Sequence, residues 1–440
     1  MAGAATPWAL NLAAIGEAAA QGTVADYKAL VCVFLYGGND YGNTLVPYDT
    51  LNYNAYQTIR SSIALPQASL ANTVLAPDIA LPNARQMAFA PELTPMKALF
   101  DQGTLGVLLN VGTLIAPTTL AQYNAKSVPL PPKLFSHNDQ QSFWQSSSPE
   151  GATSGWGGRL GDLMLSGNGK STFTCVSVTG NAVYLAGHTA VQYQVSTGGS
   201  IALKATNSKI YGSQAVSDAL RSLSTVPYAN ALANEYVRVM NRSIDANAVL
   251  NGALAGQTPL QTVFDPTNPL AMQLQMVARM IAVRNVVGAR RQVFFVSLGG
   301  FDNHDFLPTQ HPKLLSQLGS AMSSFYSATA ELGVASNVTS FTGSDFGRTL
   351  SSNGDGSDHG WGSHHVVMGG AVRGRSFWGT LPATAVNGPD DVGQGRLLPT
   401  TSVDQLGAEL ALWFGVSPAD LPTVLPNAGN FNLGGLRIFG

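Results

Sequence analysis

Residues 29–40 read ALVCVFLYGGND, a run of eight apolar or aromatic residues followed by two glycines, Asn39 and Asp40. An unbroken apolar run of this length is typical of a strand buried on both faces, as in a parallel sheet covered by helices. The glycines that follow permit a sharp turn and close backbone approach. The stretch therefore predicts a central strand of an α/β domain that ends in a polar turn.

Similar runs recur along the chain and alternate with helical patterns. The further strands are predicted at 105–111, 173–178, 292–298, 338–342 and 365–369. The helices are predicted at 91–101, 212–224, 229–241, 268–287, 310–332 and 403–414. Between about 180 and 265 the chain is rich in Asn, Ser, Thr and Gly with weak periodicity, which indicates insertions or a cap on the sheet.

Composition narrows the class of protein. Only 11% of the 440 residues are charged, against roughly 25% in average proteins, which suits an exported protein. The net charge of −2 offers no basic surface and argues against a nucleic-acid partner. Cys32 and Cys175 lie in apolar runs and are expected to be buried free thiols. No stretch after the first residues is long and apolar enough for a transmembrane segment.

The first 22 residues, MAGAATPWALNLAAIGEAAAQG, are apolar and rich in Ala. They are similar to the back half of a signal peptide that lacks its basic start. A short amphipathic helix of the mature protein is the alternative.

Polar residues follow three predicted strands at their carboxyl ends. Asp40 follows the first strand, Asp302 and His304 follow 292–298, and Asp345 follows 338–342. Open α/β sheets bind ligands at this edge. A lone Asp after two glycines is more often a turn or cap residue, so it is the convergence of three strand ends that predicts a site.

Histidines strengthen this prediction. Five of the seven lie between residues 302 and 365, three of them in the glycine-rich loop 356–365, GSDHGWGSHH. Imidazole together with carboxylate suits Zn²⁺ or Mn²⁺, and the supply of Asp suits a pair of ions. His364 and His365 would point to opposite faces of a strand, so one of them enters the site; His311 and His188 are left outside it.

The motifs LVCVFLYGGNDYGNTLVPY, LPPKLFSHNDQQSFWQS, VFFVSLGGFDNHD and FTGSDFGRTLSSNGDGSDHGWGSHHVVMGGAVRG resemble, in this order, the exported bacterial family grouped as domain of unknown function 1501. That family resembles the alkaline phosphatase and sulfatase superfamily. The resemblance implies a single domain over 27–440, folded as an alkaline-phosphatase-like three-layer sandwich with a mostly parallel sheet and an inserted region at about 180–265. It also implies that residues 1–22 are the remnant of a twin-arginine signal, and that the protein is periplasmic or secreted.

The resemblance further implies two divalent ions, Zn²⁺ or Mn²⁺, with Ca²⁺ or Mg²⁺ as alternatives. One ion would take Asp302, His304 and either His364 or His365. The second would take Asp40, Asp345 and His359. Arg348 would hold an oxygen of the substrate in a forked contact.

The implied nucleophile is Ser136, which precedes a predicted helix whose amides would help to bind an anion. Ser136 is equally well interpreted as the N-cap of that helix, with Asp139 three residues on. His137 and Asp139 are candidate ligands or partners of ligands. Thr118 and Thr119, after strand 105–111, are rival nucleophiles.

Two departures from the superfamily pattern matter. Asp345 is followed by Phe346 rather than by His, so either the loop supplies the missing His or the pair Asp358-His359 is the true counterpart. Cys175 is followed by VSV, not by the sulfatase signature, which favours a Ser- or Thr-based phosphohydrolase over a formylglycine enzyme.

The function predicted from these observations is hydrolysis of small phosphate or sulfate esters at a pair of metal ions. The alternative, from another class, is a secreted or cell-surface binding protein that keeps the fold and at most one structural metal without turnover. No protein partner is indicated.

Overall fold

The computed structural model describes residues 27–202 and 209–440. The predicted signal remnant at 1–22 lies outside the described residues. Fourteen strands are described: β1 (Lys28–Leu35), β2 (Leu45–Pro47), β3 (Met87–Phe89), β4 (Leu105–Gly112), β5 (Cys175–Ser177), β6 (Tyr193–Ser196), β7 (Gly199–Ser200), β8 (Arg291–Leu298), β9 (Val338–Ser344), β10 (Arg348–Ser352), β11 (Ser357–His359), β12 (Ser363–Gly369), β13 (Phe377–Trp378) and β14 (Thr401–Ser402).

The α-helices of the described residues are α1 (Thr50–Arg60), α2 (Gln67–Leu70), α3 (Thr94–Asp101), α4 (Leu120–Ala125), α5 (His137–Ser146), α6 (Trp156–Met164), α7 (Gln214–Thr225), α8 (Ala231–Ala255), α9 (Pro269–Ala282), α10 (Leu307–Glu331), α11 (Val403–Phe414) and α12 (Leu421–Val424).

Ten strands form one sheet in the order β13-β4-β12-β9-β1-β8-β5-β6-β7, with β14 also paired to β4. The central strands β9, β1, β8 and β5 are parallel to one another. Strand β12 runs antiparallel between β9 and β4. The predicted mostly parallel α/β sheet is therefore confirmed, and β1 lies at its centre.

Alternate side chains of β1 enter two different cores, which explains its unbroken apolar sequence. Ala29, Val31 and Val33 pack in the core that holds α3, α9 and α10. Leu30, Cys32 and Phe34 pack in the opposite core with α6 and α11. Both faces of the sheet are thus covered by helices, which gives the predicted three layers.

Element bounds agree with the predictions where local signals are strong. Helix α11 matches 403–414 because Ser402 and Gln405 form a capping box and Gly415, with φ of 114°, ends the helix. Helix α8 extends to Ala255, well past the predicted 241, and buries residues of its second half such as Leu250. Tertiary packing therefore extends a helix whose own pattern is weak.

The segment at about 180–265 contains β6, β7, α7 and α8. Helix α8 packs against β7, and Arg238 and Arg242 line a pocket with Lys170 and Phe173, which precede β5. Helix α8 therefore extends along the β5–β7 edge of the sheet, from the start of β5 to β7 beside the end of β6. Cys32 and Cys175 are free and buried, as predicted. Within the described residues, no helix is both long and apolar enough to span a bilayer.

Candidate metal centre

The carboxyl ends of three adjacent parallel strands bring distant residues together. Leu35 at the end of β1 lies opposite Leu298 of β8 and Ser344 of β9. The residues that follow β8 lead to Asp302, and Asp345 directly follows β9. Because the three strands end in register, the loops that carry these carboxylates share one edge of the sheet.

The loop at 356–365 is more ordered than its glycine content suggests. Strand β11 forms a hairpin with β10, in which Arg348 lies opposite His359. This pairing brings His359 to the same edge. Two segments of this glycine-rich stretch therefore belong to strands, and only the residues between them form a loop.

Three imidazole nitrogens converge on one carboxylate oxygen. Oδ1 of Asp302 lies 3.5 Å from Nε2 of His137, 3.2 Å from Nε2 of His304 and 3.5 Å from Nε2 of His359. Ligand atoms of His137, Asp302 and His359 all lie within 4.8 Å of one another. The His304 and His359 Nε2 atoms are 2.8 Å apart.

The other nitrogen of each imidazole faces an oxygen. Nδ1 of His137 is 2.6 Å from Oδ2 of Asp345, Nδ1 of His359 is 2.8 Å from the carbonyl of Phe135, and Nδ1 of His304 is 3.1 Å from Oδ1 of Asp358. A carbonyl and ionised carboxylates can only accept, so all three Nδ1 atoms carry the proton. With Nδ1 as the donor, each ring can present an Nε2 lone pair to the centre, which is the usual arrangement of histidines that bind a metal.

Lone pairs that face one another repel unless a cation lies among them. The Nε2 pair of His304 and His359 has this relationship, and Asp302 adds a negative charge. Nε2 of His137 and Oδ1 of Asp345 are buried polar atoms without a hydrogen-bond partner in the described structure. Such orphaned acceptors are rare in native proteins, and the donor set fits a divalent cation of the Zn²⁺ type.

Asp345 is hydrogen-bonded to several groups around the candidate metal centre. Its Oδ2 accepts hydrogen bonds from the Gly37 amide at 3.1 Å and from Gln141 Nε2 at 2.8 Å, besides its contact with His137. The hydrogen bond to Asp345 raises the pKa of His137 above its ordinary value, despite burial. Asp345 thus holds the ring of His137 in place.

Arg348 is placed differently from the expectation that it would grip a substrate oxygen. Its buried guanidinium donates to Oδ1 of Asp302 at 2.7 Å and to the carbonyls of Gly37 and Ser357. Burial would raise the pKa of Asp302, but the Arg348 guanidinium holds it below its ordinary value. These contacts make Arg348 a positioning residue for Asp302.

Asp40, expected to bind the second ion, is engaged elsewhere. Its Oδ2 accepts from Arg60 at 2.7 Å and from Ser357 at 2.6 Å, and its Oδ1 accepts from the Asn43 amide at 2.8 Å. Both Asp40 and Arg60 are fully buried. Asp40 therefore caps a turn and neutralises a buried arginine, and the structure does not bring it into the histidine cluster.

His364 and His365 face opposite sides of β12, as predicted, but neither joins the cluster. Nδ1 of His364 accepts from the Asn110 amide at 3.0 Å, and Nδ1 of His365 lies 3.1 Å from Oγ1 of Thr342. Burial lowers the pKa of each to about 3. Because both imidazoles are buried and their pKa values are lowered by burial, they are neutral histidines of the interior.

The nucleophile candidates have partners of their own. The Ser136 hydroxyl donates to Oδ2 of Asp139 and makes no cap contact with α5, and Lys133 Nζ lies 3.7 Å from Oδ1 of Asp139. The Thr118 hydroxyl donates to the carbonyl of Ala116. Thr119 forms the capping box of α4.

Some members of the site were missed or ranked too low from sequence. His137 was a secondary candidate, and its position at the start of α5 was the available signal. Gln141 lies one turn further on the same helix face, a spacing that could have suggested it. The carbonyl of Phe135 carries no sequence signal at all.

The fold and this cluster define an α/β protein with a candidate metal centre at the carboxyl edge of its sheet. The chain belongs to the family described as "Protein of unknown function (DUF1501)", whose sequence model matches residues 27–419. The family resemblance seen in the motifs is thus confirmed. No curated protein sequence matches this chain.

Solved structures match this chain at low similarity. One is the C-terminal periplasmic domain of EcEptC from Escherichia coli in complex with Zn, at 11% identity and a TM-score of 0.36, with 90% of this chain and 85% of that chain covered. A second is the lipoteichoic acid synthase LtaP from Listeria monocytogenes, at 7% identity and a TM-score of 0.34, with 95% and 81% covered. A third is a mutant of the alkaline phosphatase PafA, at 13% identity and a TM-score of 0.28, with 74% and 64% covered.

Proposed function

We propose that this chain is an exported, metal-dependent hydrolase of phosphate or sulfate esters. The ion would be held by His137, Asp302 and His359, with His304 beside them. The observation that carries the proposal is the convergence of three Nε2 atoms, each with its Nδ1 proton committed to an oxygen, on Oδ1 of Asp302.

The donor set bears on the identity and number of ions. Imidazole with one carboxylate suits Zn²⁺ better than Ca²⁺ or Mg²⁺, which prefer oxygen. Because Asp40 is committed to Arg60, the proposal is for one ion rather than the pair that the resemblance implies. A divalent ion here would act as a Lewis acid toward an ester oxygen and lower the pKa of an attacking water.

The protein's own groups would prepare the reaction. Asp345, Asp358 and the Phe135 carbonyl keep the rings oriented, and Arg348 keeps Oδ1 of Asp302 in place. Helix α5 begins at His137 without a side-chain cap. Its free backbone amides would favour an anionic ester beside the ion.

Export is the localisation that we propose, to the periplasm or beyond. It is supported by the low content of charged residues and by the signal-like composition of the first 22 residues. The twin-arginine route is part of the same proposal.

The test is elemental analysis of the purified protein, with turnover of 4-nitrophenyl phosphate and 4-nitrophenyl sulfate measured on the same samples. We expect about one equivalent of Zn or Mn, and its loss in His137→Ala and His359→Ala together with activity. The matched control is His188→Ala, which removes an exposed imidazole and should change neither.

The outcomes separate the two functional classes. An ion that is bound without turnover of either ester would favour a binding or structural protein. An absence of metal above background in a folded protein would overturn the metal centre. Two equivalents would require ligands beyond this cluster.

A further inference from the structure

A polar pocket adjoins the candidate metal centre along one face of α5. Six of the residues that line it carry neutral hydrogen-bonding side chains: Tyr36, Asn138, Gln141, Ser142, Gln145 and Asn181. The four from α5 are spaced i, i+3, i+4 and i+7, so they form one stripe on the helix. The other side of α5 buries Phe143 and Trp144. The helix therefore turns an amide-rich stripe toward an open pocket.

The pocket has the size and chemistry of a small-molecule subsite. Its volume is about 280 Å³, just below the roughly 300–1,000 Å³ of ligand pockets. Among the described residues that line it, Glu150 alone carries a charge. A pocket with amides, hydroxyls and one carboxylate suits a neutral ligand and disfavours an anion.

The polar groups can both donate and accept. Burial raises the pKa of Tyr36 to about 12, although the hydrogen bond with Gln145 opposes this shift, so the phenol stays protonated. Oε1 of Gln145 is held by the Tyr184 amide at 3.2 Å. The Ser142 hydroxyl donates to the carbonyl of Pro149 and keeps its lone pairs for a ligand. Paired donors and acceptors of this kind match vicinal hydroxyl groups.

A hydrogen-bond chain joins the pocket to the metal centre. Gln141 lines the pocket and donates to Asp345, and Asp345 contacts His137. Asn138 is the next residue after His137. A ligand in the pocket would therefore lie beside the ion, with its neutral part against α5.

We infer that this pocket binds the neutral, multiply hydroxylated alcohol part of the substrate, of which a sugar is the chemical type, while the ester anion lies at the metal centre. The inference rests on the proposed function and names the substrate class of the same site. Hydrolysis would add water across the ester bond and release the sugar hydroxyl with inorganic phosphate or sulfate. Gln141 would be a positioning residue for both parts.

The test is binding rather than turnover, so that it does not depend on the reaction. The probes are the methyl glycosides of glucose, galactose, mannose and N-acetylglucosamine, measured by saturation-transfer NMR on the metal-loaded and the metal-free full chain. We expect at least one glycoside to bind both forms, and its affinity to fall at least about tenfold in Asn138→Ala and Asn181→Ala, because each removes a hydrogen-bonding amide. The control is Asn54→Ala, an exposed amide on α1.

The results distinguish this inference from the proposed function. Hydrolysis of the aryl esters with no glycoside bound would overturn the sugar pocket and leave the hydrolase. Glycoside binding with no metal or turnover would support the pocket and overturn the hydrolase. Equal binding in all three variants would place any sugar site elsewhere and overturn the inference.

Discussion

Arg348 and Asp302 follow two different strands of the sheet, and Nη1 of the arginine donates to Oδ1 of the aspartate at 2.7 Å. The same guanidinium donates to the backbone of Gly37 and Ser357. One buried cation thus ties the loop after β1, the loop after β8 and the β10–β11 hairpin around the oxygen on which the histidines converge.

Replacing Arg348 by Lys keeps the positive charge but should hold Oδ1 of Asp302 less firmly in place. Lysine cannot reproduce the planar fork, so we expect Arg348→Lys to bind Zn²⁺ about 10–100-fold more weakly. Carbonyls left without a donor should also cost about 1–3 kcal/mol of folding free energy. Titration against a zinc chelator measures the first effect. Arg238→Lys, on the exposed face of α8, is the control, and equal zinc affinity in both variants would contradict the assigned role.

Asp40 is predicted to support folding rather than to bind metal. Arg60→Met leaves the buried carboxylate of Asp40 uncompensated, and Asp40→Asn leaves the buried guanidinium uncompensated. Each change should lower the free energy of unfolding by about 3–5 kcal/mol. The double variant should lose less free energy of unfolding than the two single variants together, since no unpaired charge remains in it. Urea denaturation measures these values, and folded Asp40→Asn should keep its metal; if it loses the ion, Asp40 is a ligand after all.

Gly37 should be intolerant of any side chain. Its φ is 114°, and a Cβ there would lie 2.4 Å from the amide nitrogen of Asp302. Backbone strain alone costs about 1–3 kcal/mol, and the clash displaces the loop that carries a ligand. We expect Gly37→Ala to lose stability and bind zinc more weakly. Gly299→Ala, with open space around the added carbon, should do neither.

His311 should make the protein sensitive to acid. Burial lowers its pKa to about 4, against the nearby Asp40 carboxylate, while Arg60 and Arg348 also disfavour its charged form. Nε2 of His311 contacts Oδ1 of Asn39 at 2.9 Å. As pH falls below the unfolded value near 6.5, the unfolded chain takes up a proton that the folded chain refuses, so stability is lost progressively down to about pH 4.

His311→Gln keeps a donor for Asn39 and removes this titration. Its free energy of unfolding should therefore fall less steeply than that of the wild type between pH 6.5 and 4, by up to about 3 kcal/mol. Urea denaturation in the presence of a chelator measures the difference without contributions from metal binding. Parallel curves for the two proteins would show that His311 binds its proton equally well in the folded and the unfolded chain, which would contradict the lowered pKa.

The parts of the fold that were predictable have causes within a few residues. The run at 29–36 predicted a strand buried on both faces, because its alternate side chains enter two cores. Ser402 and Gly415 bound α11 through their own cap geometry. The length of α8 could not be predicted from neighbouring residues, because contacts with the rest of the chain stabilise its second half.

The candidate site divides along the same line. Asp302, His304 and Asp345 were predicted because each follows a strand whose end could be recognised. His359 was assigned from a resemblance, and it reaches the site through the β10–β11 hairpin. Asp40 and His364 were predicted as ligands on equally good grounds. In the structure they are hydrogen-bonded to other groups, Asp40 to Arg60 and His364 to the Asn110 amide.

By itself, the sequence determined an α/β domain, the strands of its sheet and the edge at which acidic and imidazole side chains collect. Only the tertiary structure decided that His137 and His359 lie beside Asp302 and that His364 and His365 are buried in the interior. It also decided that Arg348 binds the carboxylate of Asp302 rather than an oxygen of the substrate. The physical reason is the distance along the sequence over which each feature is determined. Turns, caps and apolar runs are set by neighbouring residues, whereas the meeting of side chains from residues 137, 302 and 359 depends on strand order and direction, which the burial of whole layers selects.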